Sequence, residues 1–222
     1  MNTCGFIDAA KEESIDALLD AASVAARNGA RLAAVGCLVE RYRDELGPEL
    51  PEVDLWCGLE FAPLLAAFEA WGVAAGAPGR RPRPVSAFVK ISDGCDRRCA
   101  YCAIPLIKGD YEVLPPGEVL AQARAALAEG ARELVLVGQD TSRYDAPGYG
   151  GLERLLADVA ALGPAWIRLL YLQPDGVKAR LLEAMGRYAL PYVDVPLQHA
   201  SRRVLAAMGR SGDGEAYLEL LA

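Results

Sequence analysis

The sequence holds a single histidine, His199, and no unbroken apolar stretch long enough to cross a bilayer. Its longest apolar run, near Ala62 to Ala77, is interrupted by Glu69. The N-terminus, Met1-Asn2-Thr3-Cys4-Gly5, lacks the basic and apolar regions of a secretory signal. No short internal repeat or low-complexity tract is evident. These absences predict a globular, soluble, cytoplasmic protein with no membrane partner. Positive charge is scarce too: 23 Lys and Arg stand against 30 Asp and Glu, a net charge of −7. That balance argues against a surface built to grip nucleic-acid phosphates and suits a basic protein partner better. The one concentrated positive stretch is Arg80-Arg81-Pro82-Arg83-Pro84. Its prolines make it a solvated linker, with a binding patch as the alternative.

What is present is enough for a sizeable core: 222 residues, 53% hydrophobic and 24% charged. Six cysteines in a reducing compartment read as metal ligands or buried thiols more readily than as a disulfide framework.

Apolar residues Ile15, Leu18, Leu19 and Ala22 recur at helical spacing from Asp8, and Asn28-Gly29 supplies the stop. Strands are predicted at Met1–Thr3, Arg31–Val35 and Val53–Trp56, and a helix at Pro63–Trp71. Cys4 and Cys37 each follow a strand, and the parallel pairing implied by a strand-helix-strand unit puts both at one sheet edge, about 4.8 Å apart between neighbours. The Gly/Pro/Arg segment from Gly76 to Pro84 reads as a linker, so domains are expected at 1–79 and 86–222. Beyond it, strands are predicted at Ser86–Ile91, Glu133–Val137, Trp166–Leu170 and Tyr192–Val195. Helices are predicted at Pro116–Glu129, Leu152–Leu162, Val177–Tyr188 and Ser201–Met208, and the tail Ser211–Ala222 reads as a short amphipathic helix. Four strand-helix repeats imply an α/β fold, either a doubly wound sheet or part of a TIM-like β/α barrel. Both put chemistry at the carboxyl ends of the strands.

The loop after the first of these strands reads Gly94-Cys95-Asp96-Arg97-Arg98-Cys99-Ala100-Tyr101-Cys102. Three thiolates in CxxxCxxC spacing can ligate three irons of a cubane cluster and leave the fourth open. Structural zinc is the alternative, but no histidine or fourth cysteine lies near this loop to close such a site.

With Tyr101 in the aromatic position, the loop resembles the signature of the radical S-adenosylmethionine (SAM) superfamily. The resemblance implies that the open iron chelates the amino and carboxylate groups of SAM and that one electron from the cluster yields a 5′-deoxyadenosyl radical. Three further runs, Asn2-Thr3-Cys4-Gly5-Phe6, Val35-Gly36-Cys37-Leu38 and Lys90-Ile91-Ser92-Asp93-Gly94-Cys95, look like the methylthiotransferases of that superfamily. Those enzymes carry an auxiliary 4Fe-4S cluster in an N-terminal α/β domain. Two of its three ligands match here as Cys4 and Cys37, and the family's first lies upstream of the residues given. Cys57 also follows a strand; the family does not use that position, and it reads as a buried thiol.

By the same resemblance Gln139 and Asp140, after the second barrel strand, lie on the SAM side, a polar strand-to-helix turn being the alternative. Gln198 and His199 in Asp194-Val195-Pro196-Leu197-Gln198-His199 are expected to line the pocket, with a structural or exposed role as the alternative. Lys108-Gly109 stands where relatives have Arg-Gly, which keeps the charge and loses the bidentate fork.

The runs around Gln139, Gln198 and Cys4 resemble the ribosomal-protein branch more than the tRNA-adenosine branch. That branch adds a methylthio group to the β-carbon of an aspartate in the twelfth small-subunit ribosomal protein, with a second SAM as methyl source. A flavodoxin-like electron donor is implied. A full barrel of this kind has six strands and is followed by a small β-barrel domain, whereas four strands are read here. A non-catalytic iron-sulfur-binding fragment and a simple electron carrier are therefore the other readings.

Overall fold

The computed structural model describes residues 1–73 and 84–222. The chain divides into two compact units, Met1–Arg80 and Arg81–Ala222. Of the linker read at Gly76–Pro84, all but Pro84 lies outside the described residues.

The first unit runs β1 (Asn2–Thr3), α1 (Asp8–Asn28), β2 (Ala33–Gly36), α2 (Cys37–Leu46), β3 (Leu55–Cys57) and α3 (Ala62–Ala70). Its strands form a parallel sheet in the order β1-β2-β3, with Thr3 opposite Gly36 and Val35 opposite Cys57. Helix α1 ends where Gly29 takes a left-handed conformation. It buries Leu18, Ala22 and Ala25 against Ala34, Leu38 and Val39, each large apolar side chain contributing about 1.5–3 kcal/mol. The apolar face is rotated from the expected one, since Leu19 is 48% exposed. Helix α2 was not legible in the sequence: Glu40, Arg41, Arg43, Asp44 and Glu45 mask its short apolar stripe.

The second unit runs β4 (Ser86–Lys90), β5 (Ser92–Asp93), α4 (Ile104–Ile107), β6 (Glu112–Val113), α5 (Pro116–Ala128) and β7 (Glu133–Val137). A 3-10 turn (Thr141–Arg143), β8 (Asp145–Ala146), β9 (Gly150–Gly151), α6 (Leu152–Ala160) and β10 (Trp166–Leu169) follow. A second 3-10 turn (Pro174–Gly176), α7 (Ala179–Tyr188), α8 (Arg202–Ala207) and α9 (Gly214–Leu221) complete it. The main sheet is parallel, ordered β10-β7-β4, with Val89 and Leu169 on either side of Leu136. Val89, Leu134, Leu136, Ile167 and Leu169 share one core cluster with Val119, Leu155, Leu156 and Leu181 of the helices. This is the mixed α/β architecture of an N-terminal parallel domain and a partial β/α barrel. On the other face of the sheet Phe88 is 74% and Trp166 is 52% exposed.

One predicted strand did not form. Tyr192–Val195 is irregular, joined to its neighbours by isolated bonds: Leu190 N–H to Ile167 O at 2.8 Å and Leu172 N–H to Asp194 O at 3.1 Å. Pro191 and Pro196 flank these four residues and can donate nothing to a ladder. No helix among the described residues is long and apolar enough to cross a membrane.

Candidate functional site

Because β4, β7 and β10 are parallel neighbours, the loops at their carboxyl ends meet at one end of the sheet. The cysteine loop follows β4 and β5. Gly94 opens it at φ +66°, where a Cβ would stand 2.0 Å from the Asp110 carbonyl oxygen, so only glycine lets the chain pass. The Cys95 N–H then donates to Gly109 O at 3.1 Å, and Cys102 N–H donates to Cys99 O at 3.0 Å. Arg98 between them sits at φ +26°, an uncommon conformation for a residue with a Cβ. Cys95 is buried, Cys99 and Cys102 are half-buried, and all three are free thiols. Burial pushes the Cys95 thiol up, with a smaller push from Asp140 and Cys102.

Cys99 lines a cavity of about 400 Å³ with Arg97, Arg98, Pro174, Asp175, Gly209 and Arg210. Among the described residues no three Cys, His, Asp or Glu side chains are gathered in a metal-holding group. The fit to an iron-sulfur cluster therefore rests on the donor chemistry: three thiols on one short loop, with Cys102 near enough to Cys95 to push its thiol up. A polar ligand also has groups to meet. Gln139 Oε1 is buried with no partner, and Ser92 Oγ and the Tyr111 hydroxyl, though neighbours, make no well-formed hydrogen bond.

Asp140, expected beside SAM, is fully buried with both carboxylate oxygens taken. Oδ2 accepts from Arg97 Nε at 2.6 Å and Oδ1 from Ser142 Oγ at 2.6 Å. Lys108 Nζ donates to Asp93 Oδ1 at 2.8 Å. Burial raises the Asp93 carboxyl, but Lys108 and Lys90 outweigh it and hold it below the ordinary carboxylate range.

Gln198 and His199 are exposed, and they line a different, apolar groove of about 510 Å³ with Leu197, Tyr217, Leu218 and Leu221. His199 Nδ1 accepts from Ser201 N–H at 2.9 Å. The structure thus groups these two with α9, not with the cavity beside Cys99.

Sequence reasoning missed Arg210, Gln173 and Asp175. Arg210 donates to Gln173 Oε1 at 2.6 Å, to Pro196 O at 2.9 Å and to the Tyr101 hydroxyl at 3.3 Å, tying the motif's aromatic to two other loops. Nothing short-range marks such pairings across the chain.

In the first unit Cys4 follows β1 and Cys37 opens α2. Ser14 of α1 holds the Cys4 backbone from both sides, donating to its carbonyl at 3.1 Å and accepting from its N–H at 2.9 Å. Gly5 approaches so close that a Cβ there would lie 2.8 Å from Leu38 Cα, which makes the Cys4 and Cys37 segments neighbours. Cys57 is buried and its thiol donates to Glu60 O at 2.6 Å.

Residues 89–222 match the radical SAM superfamily. The chain belongs to the radical SAM superfamily. That membership supports an iron-sulfur cluster and SAM as its cofactors. Residues 1–58 match the uncharacterized protein family UPF0004. Among curated relatives, a ribosomal protein uS12 methylthiotransferase RimO from Desulforudis audaxviator is 44% identical over 95% of this chain and 52% of its own length. Another from Frankia alni is 39% identical over 100% of this chain and 51% of its own, and one from Moorella thermoacetica 38% over 100% and 55%. The likeness is thus of the RimO type, and this radical SAM chain spans about half the length of the curated relatives it matches. Among solved structures, the radical SAM methyltransferase TsrM of Kitasatospora setae, with tryptophan substrate and a SAM analogue, aligns at TM-score 0.52 and 15% identity. That alignment covers 67% of this chain and 31% of TsrM, a likeness of fold.

Proposed function

We propose that this chain is a SAM-dependent radical methylthiotransferase that acts on the β-carbon of an aspartate in ribosomal protein uS12, in the cytoplasm. The observation that carries this reading is the Cys95–Cys102 loop, set at the carboxyl end of β4 beside the cavity that Cys99 lines. Cys95, Cys99 and Cys102 are the ligands of a 4Fe-4S cluster in residues 86–222, and Cys4 and Cys37 are two ligands of an auxiliary cluster in residues 1–79. Held by Cys95, Cys99 and Cys102, such a cluster would supply the single electron that parts SAM into methionine and a 5′-deoxyadenosyl radical. The chain's own residues do the positioning. Gly94 turns the loop inward, burial keeps water from Cys95, and Gln139 offers an unsatisfied acceptor to the amino group of SAM. A flavodoxin-like protein is the proposed electron donor. The excess of acidic residues favours a basic ribosomal protein over tRNA as substrate.

The reconstituted chain, incubated with SAM, dithionite and uS12, is expected to add one methylthio group to a single aspartate, read by peptide mass spectrometry. Modification of an adenosine in tRNA instead would move the chain to the other branch. The exposed Phe88 and Trp166 on the open face of the barrel sheet favour a second reading, an iron-sulfur-binding chain without turnover. It predicts cluster loading with neither product.

A further inference from the structure

The three residues between Cys95 and Cys99 are each ion-paired to a different part of the second unit. Asp96 pairs with Arg143, Arg97 with both Asp140 and Asp175, and Arg98 with Asp110 at 3.5 Å. The three braces are not equal. Arg98 and Asp110 are largely exposed and Asp96–Arg143 is partly so, and water and salt weaken such pairs. Asp140 is fully buried, and among the described residues Arg97 is its only ion-pair partner, with Arg143 a more distant positive charge. A buried carboxylate holds its cation firmly, because losing it would strand a charge away from water. The other arm of the same guanidinium reaches Asp175 Oδ2 at 2.9 Å. One side chain therefore joins the cysteine loop to the loop after β7 and the 3-10 turn after β10, at the carboxyl ends of all three strands.

We propose that Asp140 is a positioning residue, which fixes the Cys95–Cys99 segment through Arg97 and does not itself touch SAM. Ser142 Oγ donates to its second oxygen, and the carboxylate is fully buried, so neither oxygen is open to a ligand. The proposal rests on the reading of this segment as the cluster loop, and its first test uses the cluster-free chain so that the two can fail separately.

The test is the rate of iodoacetamide alkylation at Cys95, followed by mass spectrometry on the reduced, metal-free chain. Cys57, buried in the first unit, serves as the internal control. Asp140→Asn and Arg97→Gln are each expected to speed alkylation of Cys95 about tenfold or more with Cys57 unchanged. The double variant should be no faster than Arg97→Gln alone, because that variant already lacks the contact to Asp140. Arg97→Lys should recover part of the protection, keeping the charge but losing one arm of the fork. In the reconstituted chain the reduction potential of the cluster, followed by electron paramagnetic resonance, should shift alike in Asp140→Asn and Arg97→Gln. An unchanged Cys95 rate in Asp140→Asn overturns the proposal, as does a double variant whose effect is the product of the single ones. Weaker SAM binding by Asp140→Asn with Cys95 still protected would make Asp140 a direct ligand instead. If Asp140→Asn does not fold, Arg97→Gln decides: an unchanged rate at Cys95 overturns the proposal.

Discussion

Cys99→Ala is expected to abolish iron loading at the Cys95–Cys102 loop while leaving the chain folded. Cys99 is half-buried, lies in a loop outside the core cluster, and lines the cavity. Truncating such a residue changes stability by roughly 0.5 kcal/mol or less. The same change removes one of the three proposed ligands, and two thiols alone would not hold a cubane whose fourth iron takes no protein ligand. After anaerobic reconstitution the parent chain with its Cys4 and Cys37 sites removed should hold about four irons, and the same chain with Cys99→Ala well under one. Equal iron in both would place the cluster elsewhere. Thermal unfolding followed by circular dichroism should give nearly the same midpoint for the two.

Gly94→Ala should damage both folding and loading. At φ +66° an alanine costs about 1–2 kcal/mol in backbone strain alone. Its Cβ would also meet the Asp110 carbonyl oxygen at 2.0 Å and Asp110 C at 2.8 Å, backbone atoms that cannot swing aside. Relieving that overlap costs about a further 1–3 kcal/mol and breaks the Cys95 N–H bond to Gly109 O, which holds the first of the proposed ligands. Urea denaturation should register a loss of about 2–5 kcal/mol, with iron content falling alongside. A variant as stable and as fully loaded as the parent would mean that the loop does not need the turn seen at Gly94.

Much of this was legible in the sequence because it is local. The CxxxCxxC spacing, the glycine before it and the strand preceding it lie within a few residues of one another, and the regular strand-helix alternation placed them at a sheet's carboxyl edge. The parallel order β1-β2-β3 likewise brought Cys4 and Cys37 to one end, as the strand-helix-strand pattern implied. What was missed depends on partners far away in the chain. Arg97 and Asp140 are 43 residues apart, and nothing in either neighbourhood marks them as a pair. The place of Asp140 after β7 suggests a SAM-side group, yet its burial and its hold on Arg97 are properties of the packed unit. Tyr192–Val195 has the apolar content of a strand but is bounded by prolines on both sides, and the chain there takes isolated hydrogen bonds in place of a ladder. Gln198 and His199 follow that segment, so their direction could not be inferred from a strand that does not form.

The most direct measurement is 5′-deoxyadenosine released from SAM under dithionite by the anaerobically reconstituted chain, with Cys99→Ala alongside. Formation of 5′-deoxyadenosine that vanishes in Cys99→Ala is predicted, because the Cys95–Cys102 loop then holds a cluster with an iron open to SAM. A loaded chain that leaves SAM intact, or that cleaves it equally well without Cys99, would contradict that assignment.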